Sequence, residues 1–332
     1  MRLVPAILLV GVLAGCAGPG SLKPGADGGV VAGSWPAEAP AVVELDAVPF
    51  HPQTDFECGP AALATMLGAQ GHEVPPEALV PEVYVPGRRG SLQPEIVAAA
   101  RQRGLIVYPI RPTFDDLLAQ LAAGEPVLIL QNQGLRRLPV WHYAVVVGAA
   151  AETDTFILRS GKTRRSVEDG REFQRRWDLA GRWGIVTLAP GTLPANPDWP
   201  IYLKAGADLE AAGHPDAAAA GYRAALVRSP GLSAARFGLA NVSYRTGRTD
   251  EAARLYAELA DDRDFGVAAL NNLANLRLDQ GCPAEARTAL DRADRRGGGD
   301  RGFAAALAST RTRLDRAAGG TAAPGSCPVA RL

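Results

Sequence analysis

Residues 48–66 read VPFHPQTDFECGPAALATM, and this stretch says most about both the fold and the chemistry of the chain. Its first part is irregular and contains prolines, whereas 59–69 has the apolar spacing of a helix, with Pro60 suited to a first turn. Cys58 therefore stands where a loop meets a helix N-terminus. The free N–H groups and partial positive charge there favour a thiolate and can stabilise an oxyanion. The pattern predicts that Cys58 is a nucleophile.

A second chemical group lies far along the chain, in the stretch WHYAVVVG at 141–148. His142 begins an apolar run rich in valine, which predicts a strand. An imidazole held against a thiol can form a thiolate–imidazolium pair and later protonate a leaving amine. The chain order Gln53, Cys58, His142 matches papain-like catalysis.

The surrounding residues predict an α+β domain over 44–190. The expected helices come first and the expected strands follow, so the sheet is assembled mainly from the second half of the domain. The predicted helices are 59–69, 91–103 and 113–124, and the predicted strands are 126–131, 143–147, 155–158 and 184–188.

Residues 46–190 resemble the bacteriocin-processing cysteine peptidases, also called double-glycine leader peptidases. The resemblance is carried by Gln53, by Cys58-Gly59 and by His142-Tyr143. It implies a papain-like fold that hydrolyses a peptide or protein substrate, with the Gln53 side chain and the backbone at Cys58 forming the oxyanion hole.

This sequence departs from the family at two positions. Gln53 is one residue closer to Cys58 than the usual papain-like spacing. The family also places Asp or Asn at the end of the strand after the histidine, where this chain has Ser160. Ser160 is the expected third catalytic residue, and Asp154, which precedes that strand, is the alternative. A hydroxyl stabilises an imidazolium less than a carboxylate does, which leaves an inactive peptide-holding fold as an open alternative.

The C-terminal part repeats itself every 34 residues, as Gly213, Gly247 and Gly281 show. The pattern resembles the tetratricopeptide repeat, a pair of antiparallel helices with small residues where backbones approach. Three all-α units are predicted, at about 198–231, 232–265 and 266–299. A capping helix at 303–316 is expected within the final segment 300–332. Such arrays present a concave surface to peptides or partner proteins, although three repeats can equally be a rigid spacer.

The first residues predict an address in the cell envelope. An apolar run from Leu3 to Leu13 is followed by Leu-Ala-Gly-Cys ending at Cys16. This resembles the lipobox of bacterial lipoproteins, which implies a signal peptide at 1–15, lipid attachment at Cys16 and membrane contact through that lipid. Ala17 favours the outer membrane, facing the periplasm. Residues 16–43, rich in Gly, Pro and Ala, are predicted to be a flexible tether.

Cys282 lies in the turn of the third repeat and Cys327 in the tail. In an oxidising periplasm these two are expected to form a disulfide, the alternative being two unpaired thiols. His51, His72 and His214 are expected at surfaces or turns and make no metal pattern, so neither a metal nor a cofactor is predicted. The arginine-rich region 159–176 is expected to be a solvated edge.

Composition limits the classes of partner. The chain has 35 Lys and Arg against 35 Asp and Glu, a net charge of zero, which argues against nucleic-acid binding. Three functions remain: a peptidase, a non-catalytic peptide-binding lipoprotein, or an assembly scaffold whose repeats carry the function.

Overall fold

The computed structural model describes residues 29–37, 39–53, 57–297, 301–318 and Cys327. An antiparallel sheet flanked by helices is followed by a helical array. The strands are β1 Val42–Glu44, β2 Tyr84–Val85, β3 Gly90–Ser91, β4 Ile106–Pro109, β5 Val127–Asn132, β6 Trp141–Ala150, β7 Thr155–Ser160, β8 Thr163–Asp169 and β9 Gly184–Leu188. The helices are α1 Cys58–Ala69, α2 Pro76–Val83, α3 Gln93–Arg101, α4 Phe114–Ala122, α5 Gly170–Leu179, α6 Trp199–Ala211, α7 Pro215–Arg228, α8 Ser233–Arg245, α9 Thr249–Glu258, α10 Gly266–Asp279, α11 Pro283–Gly297 and α12 Arg301–Ala318.

The main sheet has seven strands in the order β4-β9-β5-β6-β7-β8, with β1 paired to β6. The side chains along each strand point alternately into two hydrophobic cores, one on each face of the sheet. Tyr143, Val145 and Val147 of β6 face a core formed with α1, α2 and α3. Ala144 and Val146 face a second core formed with α4, α5 and α6. The α+β fold expected from the sequence is confirmed, and β6, like the other long strands of the sheet, contributes side chains to both cores.

Part of the predicted tether is packed. Val31 is fully buried in the second core, and its backbone N–H donates to Asp154 at 2.7 Å. Residues 42–44 form β1 and pair with β6. The tether prediction is therefore wrong over the described residues 29–37 and 39–43, because a few apolar positions in a Gly- and Ala-rich segment are enough to bury it against the sheet. The predicted signal peptide, Cys16 and residues 17–28 lie outside the described residues.

The helical array stacks in pairs, α6 with α7, α8 with α9, and α10 with α11, and each pair falls inside one of the units marked by the 34-residue period. Gly213, Gly247 and Gly281 adopt φ values of +92°, +78° and +73° in the turns between paired helices, a conformation that other residues adopt at a cost. The repeat period therefore records the turn that every hairpin requires.

The first repeat is built into the peptidase-like domain. Tyr202, Ala205 and Leu209 of α6 are buried in the second core together with Tyr108 and Ile106 of β4. The Tyr108 hydroxyl also accepts the backbone N–H of Asp198 at 3.0 Å. The first repeat thus shares the second core with the sheet, whereas the rest of the array has a core of its own; the sequence had suggested two neighbouring domains. None of the helices in the described segments is long and apolar enough to span a membrane.

A disulfide joins Cys282, before α11, to Cys327 in the tail beyond α12. Cys282 is 1 % exposed and α12 covers the end of the array with buried Leu307 and Leu314. The link closes a loop with a sequence separation of 45 residues.

Replacing Cys327 by serine is expected to lower the free energy of unfolding of the array by about 3 kcal/mol, because the unfolded chain regains the freedom that the loop removes. Urea unfolding followed by circular dichroism, with and without reductant, measures this loss. Reductant should destabilise the native chain and leave the Cys327→Ser chain unchanged. An equal response of both chains would contradict a stabilising role for the bond.

Candidate active site

Helix α1 begins at Cys58, as the sequence predicts. The start of this helix is closely packed: a Cβ added to Gly59 would lie 2.2 Å from Oγ of Ser91. The Tyr143 side chain also contacts Ser91, because its hydroxyl donates to the Ser91 carbonyl at 3.3 Å. Gly59 is therefore required by a close approach to Ser91, which explains the small residue directly after Cys58.

Cys58 lies at a free edge of β6. Pairing between β6 and β7 extends only as far as Val145 and Arg159, so the earlier residues of β6 have no β7 partner. There Tyr143 and Cys58 line the same small cavity, and the backbone N–H groups of Tyr143, Gly59 and Cys58 act to lower the pKa of the thiol. The sulfur thus lies on the Tyr143 side of β6, whereas the side chain of His142 takes the alternate position in the strand and does not line the cavity around Cys58.

The thiol is not a preformed thiolate. Burial raises the pKa of Cys58 above its usual range, and the backbone donors only partly oppose this. The expectation that the helix N-terminus would leave a thiolate was wrong in this respect. The cause is that the sulfur is largely enclosed, so the charged form loses more hydration energy than the N–H groups return.

The imidazole of His142 is also enclosed, with 8 % of the residue exposed. Its Nε2 shares a hydrogen bond of 2.8 Å with Oγ of Ser160. Burial, reinforced by the positive charge of Arg176, lowers the pKa of His142 to about 4. Within the described segments no hydrogen bond joins the His142 ring to Cys58. At neutral pH the thiol and the imidazole are therefore both uncharged.

Three consecutive residues, 159–161, connect the parts of this site. The Arg159 guanidinium donates to the carbonyls of Asp46 and Val48, Ser160 bonds His142, and the Gly161 carbonyl accepts the backbone N–H of Gln53 at 3.1 Å. The end of β7 and the first residue after it thus hold both the His142 imidazole and the loop that leads to Cys58.

A small cavity lies at this junction. It is lined by His51, Gln53, Cys58, Ala61, Ala62, Thr65, Tyr143, Arg159, Ser160 and Gly161. Gln53 and Ser160 thus lie in the same cavity wall as Cys58, despite the short spacing between Gln53 and Cys58. The solvated edge expected for Arg159 is wrong, whereas His51 is partly exposed in an irregular segment. Arg159 is 4 % exposed because backbone carbonyls satisfy its guanidinium, an arrangement that sequence does not display.

A polar network behind His142 was missed by the sequence reasoning. Gln131, the cross-strand partner of His142, donates to Glu168 at 2.9 Å, and Arg176 donates to the other oxygen of Glu168 at 2.7 Å. Burial raises the pKa of Glu168. The only signal for this network was the polar Gln131-Asn132 pair closing an apolar strand.

Asp154, the alternative third residue, serves another purpose. Its carboxylate accepts the backbone N–H of Val31 and lies against Gly29 and Gly170. It holds the N-terminal segment rather than an imidazole, so Ser160 is the residue that contacts His142.

The depressed pKa of His142 makes the fold sensitive to acid. The unfolded chain binds a proton near pH 6.5, whereas the folded chain binds it only near pH 4, so stability is full above pH 6.5 and falls as the pH drops from 6.5 towards 4. The expected loss is about 3 kcal/mol, which urea unfolding across this range measures. His142→Gln should flatten the dependence, whereas a control change at His72 should keep it. An equally steep dependence in His142→Gln would contradict the assignment.

Comparisons with known proteins agree with this architecture. Residues 45–185 match the model of the Peptidase_C39 like family, and residues 209–265 and 244–301 match tetratricopeptide repeat models. The chain is 34% identical over 151 residues to cellulose synthase operon protein C of Xanthomonas axonopodis pv. citri, covering 40% of this chain and 10% of that protein. The chain thus spans about a tenth of the length of this curated relative.

Among solved structures, the chain is similar to a protein of Bacillus anthracis described as a C39-like peptidase. That similarity has a TM-score of 0.38 and 18% identity, and covers 44% of this chain and 97% of the other. Residues 45–185 are a C39-like peptidase domain, and a tetratricopeptide repeat region follows it.

Proposed function

We propose that this protein is a cysteine peptidase in which Cys58 and His142 hydrolyse peptide bonds. The observation that carries the proposal is the cavity that Cys58, Gln53 and Ser160 line together at the start of α1, because Ser160 is hydrogen-bonded to His142. The match of residues 45–185 to a peptidase family supports it.

The chemistry starts from a neutral pair. As the Cys58 sulfur attacks the peptide carbonyl, His142 takes the thiol proton, and the oxyanion receives hydrogen bonds from the Cys58 backbone N–H and the Gln53 side chain. The imidazolium then protonates the amine as the C–N bond breaks. Water, deprotonated by His142, hydrolyses the thioester and regenerates the thiol. Creating two charges in a buried site raises the barrier, so a slow enzyme is expected.

Cleavage of unfolded casein tests this proposal, with new N-termini read by mass spectrometry. Cys58→Ala and His142→Asn should abolish cleavage, and His72→Asn, which changes a histidine outside the cavity, should leave it intact. No cleavage by the native chain, or equal cleavage by Cys58→Ala, would overturn the proposal.

The second candidate is a fold that holds a peptide without cutting it. The pKa of Cys58 is raised and the pKa of His142 is lowered, and both shifts disfavour a thiolate–imidazolium pair. They therefore favour this alternative. It predicts saturable peptide binding that survives in Cys58→Ala, with no new N-termini in either chain.

The proposal includes a location. The sequence up to Cys16 supports a lipoprotein anchored in the outer membrane and facing the periplasm, and the Cys282–Cys327 disulfide supports an oxidising compartment. The repeats would bind a polypeptide substrate or partner on their concave surface. A diacyl mass increment on Cys16, absent from Cys16→Ser, is the expected result.

A further inference from the structure

The hairpin tip between β5 and β6, residues 133–141, exposes an apolar group beside the candidate site. Four of its side chains face solvent to an unusual degree: Leu135 at 67 %, Leu138 at 73 %, Val140 at 56 % and Trp141 at 54 %. Large apolar side chains grouped on one protrusion mark an interaction surface.

The tip is rigid. Leu135 and Leu138 exchange backbone hydrogen bonds of 3.1 Å across a turn formed by Arg136 and Arg137, so the two leucines stand side by side. From below, the buried Asn132 side chain accepts the N–H groups of Gly134 and Val140 and donates to the carbonyl of Leu135. The exposed leucines are therefore a fixed display that the fold maintains.

The charge of the tip is positive throughout. Residues 133–141 contain Arg136 and Arg137 and no acidic residue, in a chain whose net charge is zero. Arg175 donates to the Gly134 carbonyl at 3.4 Å, but its charge is paired with Glu172, so the positive charge of the tip comes from Arg136 and Arg137. The occupant of this surface should thus combine an apolar interior with anionic groups.

We propose that residues 133–141 insert into the surface of a lipid bilayer that contains anionic headgroups. A tight turn that exposes a leucine on each side can enter a fluid acyl layer, with Leu135 and Leu138 deepest and Trp141 at the interface. Arg136 and Arg137 would contact the phosphates. Because Trp141 precedes His142, this contact sets the candidate active site against the membrane. The inference does not depend on the peptidase activity.

The test uses the full-length chain on phosphatidylcholine vesicles, with and without phosphatidylglycerol, in which the acyl chains carry bromine. Bromine quenches tryptophan only within the acyl layer. Quenching is expected, stronger with phosphatidylglycerol, and Trp141→Phe should remove most of it. Trp199→Phe, which changes a tryptophan packed on the second core, should not. Attachment through the N-terminus alone would not bring Trp141 to the acyl layer.

Two further variants separate the apolar and the charged contributions. Leu135→Ser with Leu138→Ser should abolish the quenching, while Val227→Ser, at a position 84 % exposed on α7, should preserve it. Arg136→Gln with Arg137→Gln should remove the preference for phosphatidylglycerol. Quenching that is absent, or unchanged in Trp141→Phe, would overturn the proposal. So would tip variants that impair casein cleavage or binding without altering quenching, since these would indicate a protein contact.

Discussion

A chain that ends at residue 190 is expected not to fold, although every residue of the family match lies within it. The cut removes Tyr202, Ala205 and Leu209 from the second core and exposes Tyr108. Burial of one large apolar side chain stabilises a fold by about 1.5–3 kcal/mol, so losing α6 and its neighbours costs on the order of 10 kcal/mol. That is comparable with the whole stability of an ordinary domain.

Circular dichroism and urea unfolding of chains starting at residue 29 check this expectation. A chain ending at 245 keeps α6, α7 and α8 and should show a cooperative transition, whereas one ending at 190 should show none. In the full-length protein, Tyr202→Ala should cost about 3–5 kcal/mol, because it leaves a cavity under β4. A cooperative transition in the chain ending at 190 would mean that the two regions fold separately.

Replacing Ser160 by aspartate is expected to speed casein cleavage at least tenfold. Oγ of Ser160 is the group that contacts Nε2 of His142, and a carboxylate there would stabilise the imidazolium. Each unit by which the pKa of His142 rises is worth about 1.4 kcal/mol in favour of the charged pair. Reaction of Cys58 with iodoacetamide should then become fast near neutral pH, whereas the native chain should react rapidly only in alkali, because the pKa of Cys58 is raised.

Matched variants make this result interpretable. Ser160→Ala removes the hydroxyl and should slow cleavage. Asp154→Ser deletes the carboxylate that accepts the Val31 backbone N–H, and it should not change the pH dependence of Cys58 labelling. If Ser160→Asp labels with the native pH profile, His142 does not assist Cys58. The non-catalytic alternative would then be favoured.

The elements that can be predicted from this sequence are those whose signals are local in the chain. Cys58 starts a helix because a proline-containing loop precedes a run of small and apolar residues, and the spacing of Gly213, Gly247 and Gly281 follows from the turns. Ser160 was expected because it stands at the strand end where the resembling family carries Asp or Asn, and it is the residue that bonds His142.

What the sequence could not provide depends on burial, which is a property of the assembled fold. The helix start at Cys58 predicts backbone N–H groups that lower the pKa of the thiol, but the burial that outweighs them comes from residues far apart in the chain, such as Tyr143. Arg159 was interpreted as a surface residue because its hydrogen-bond partners are backbone carbonyls. Every residue has one, so the sequence does not show which of them face the guanidinium. Glu168 of β8, Arg176 of α5 and Gln131 of β5 come together only in the assembled fold.

The shared core of β4 and α6 makes the repeat region a stiff arm rather than a tethered one. A tethered array would search many orientations and merely raise the local concentration of what it binds. A fixed array keeps its helices at a constant distance and angle from Cys58. A polypeptide held by both would be presented in one register, so the spacing between its two contact points, as much as the residues around the cut, would decide which bond reaches the sulfur.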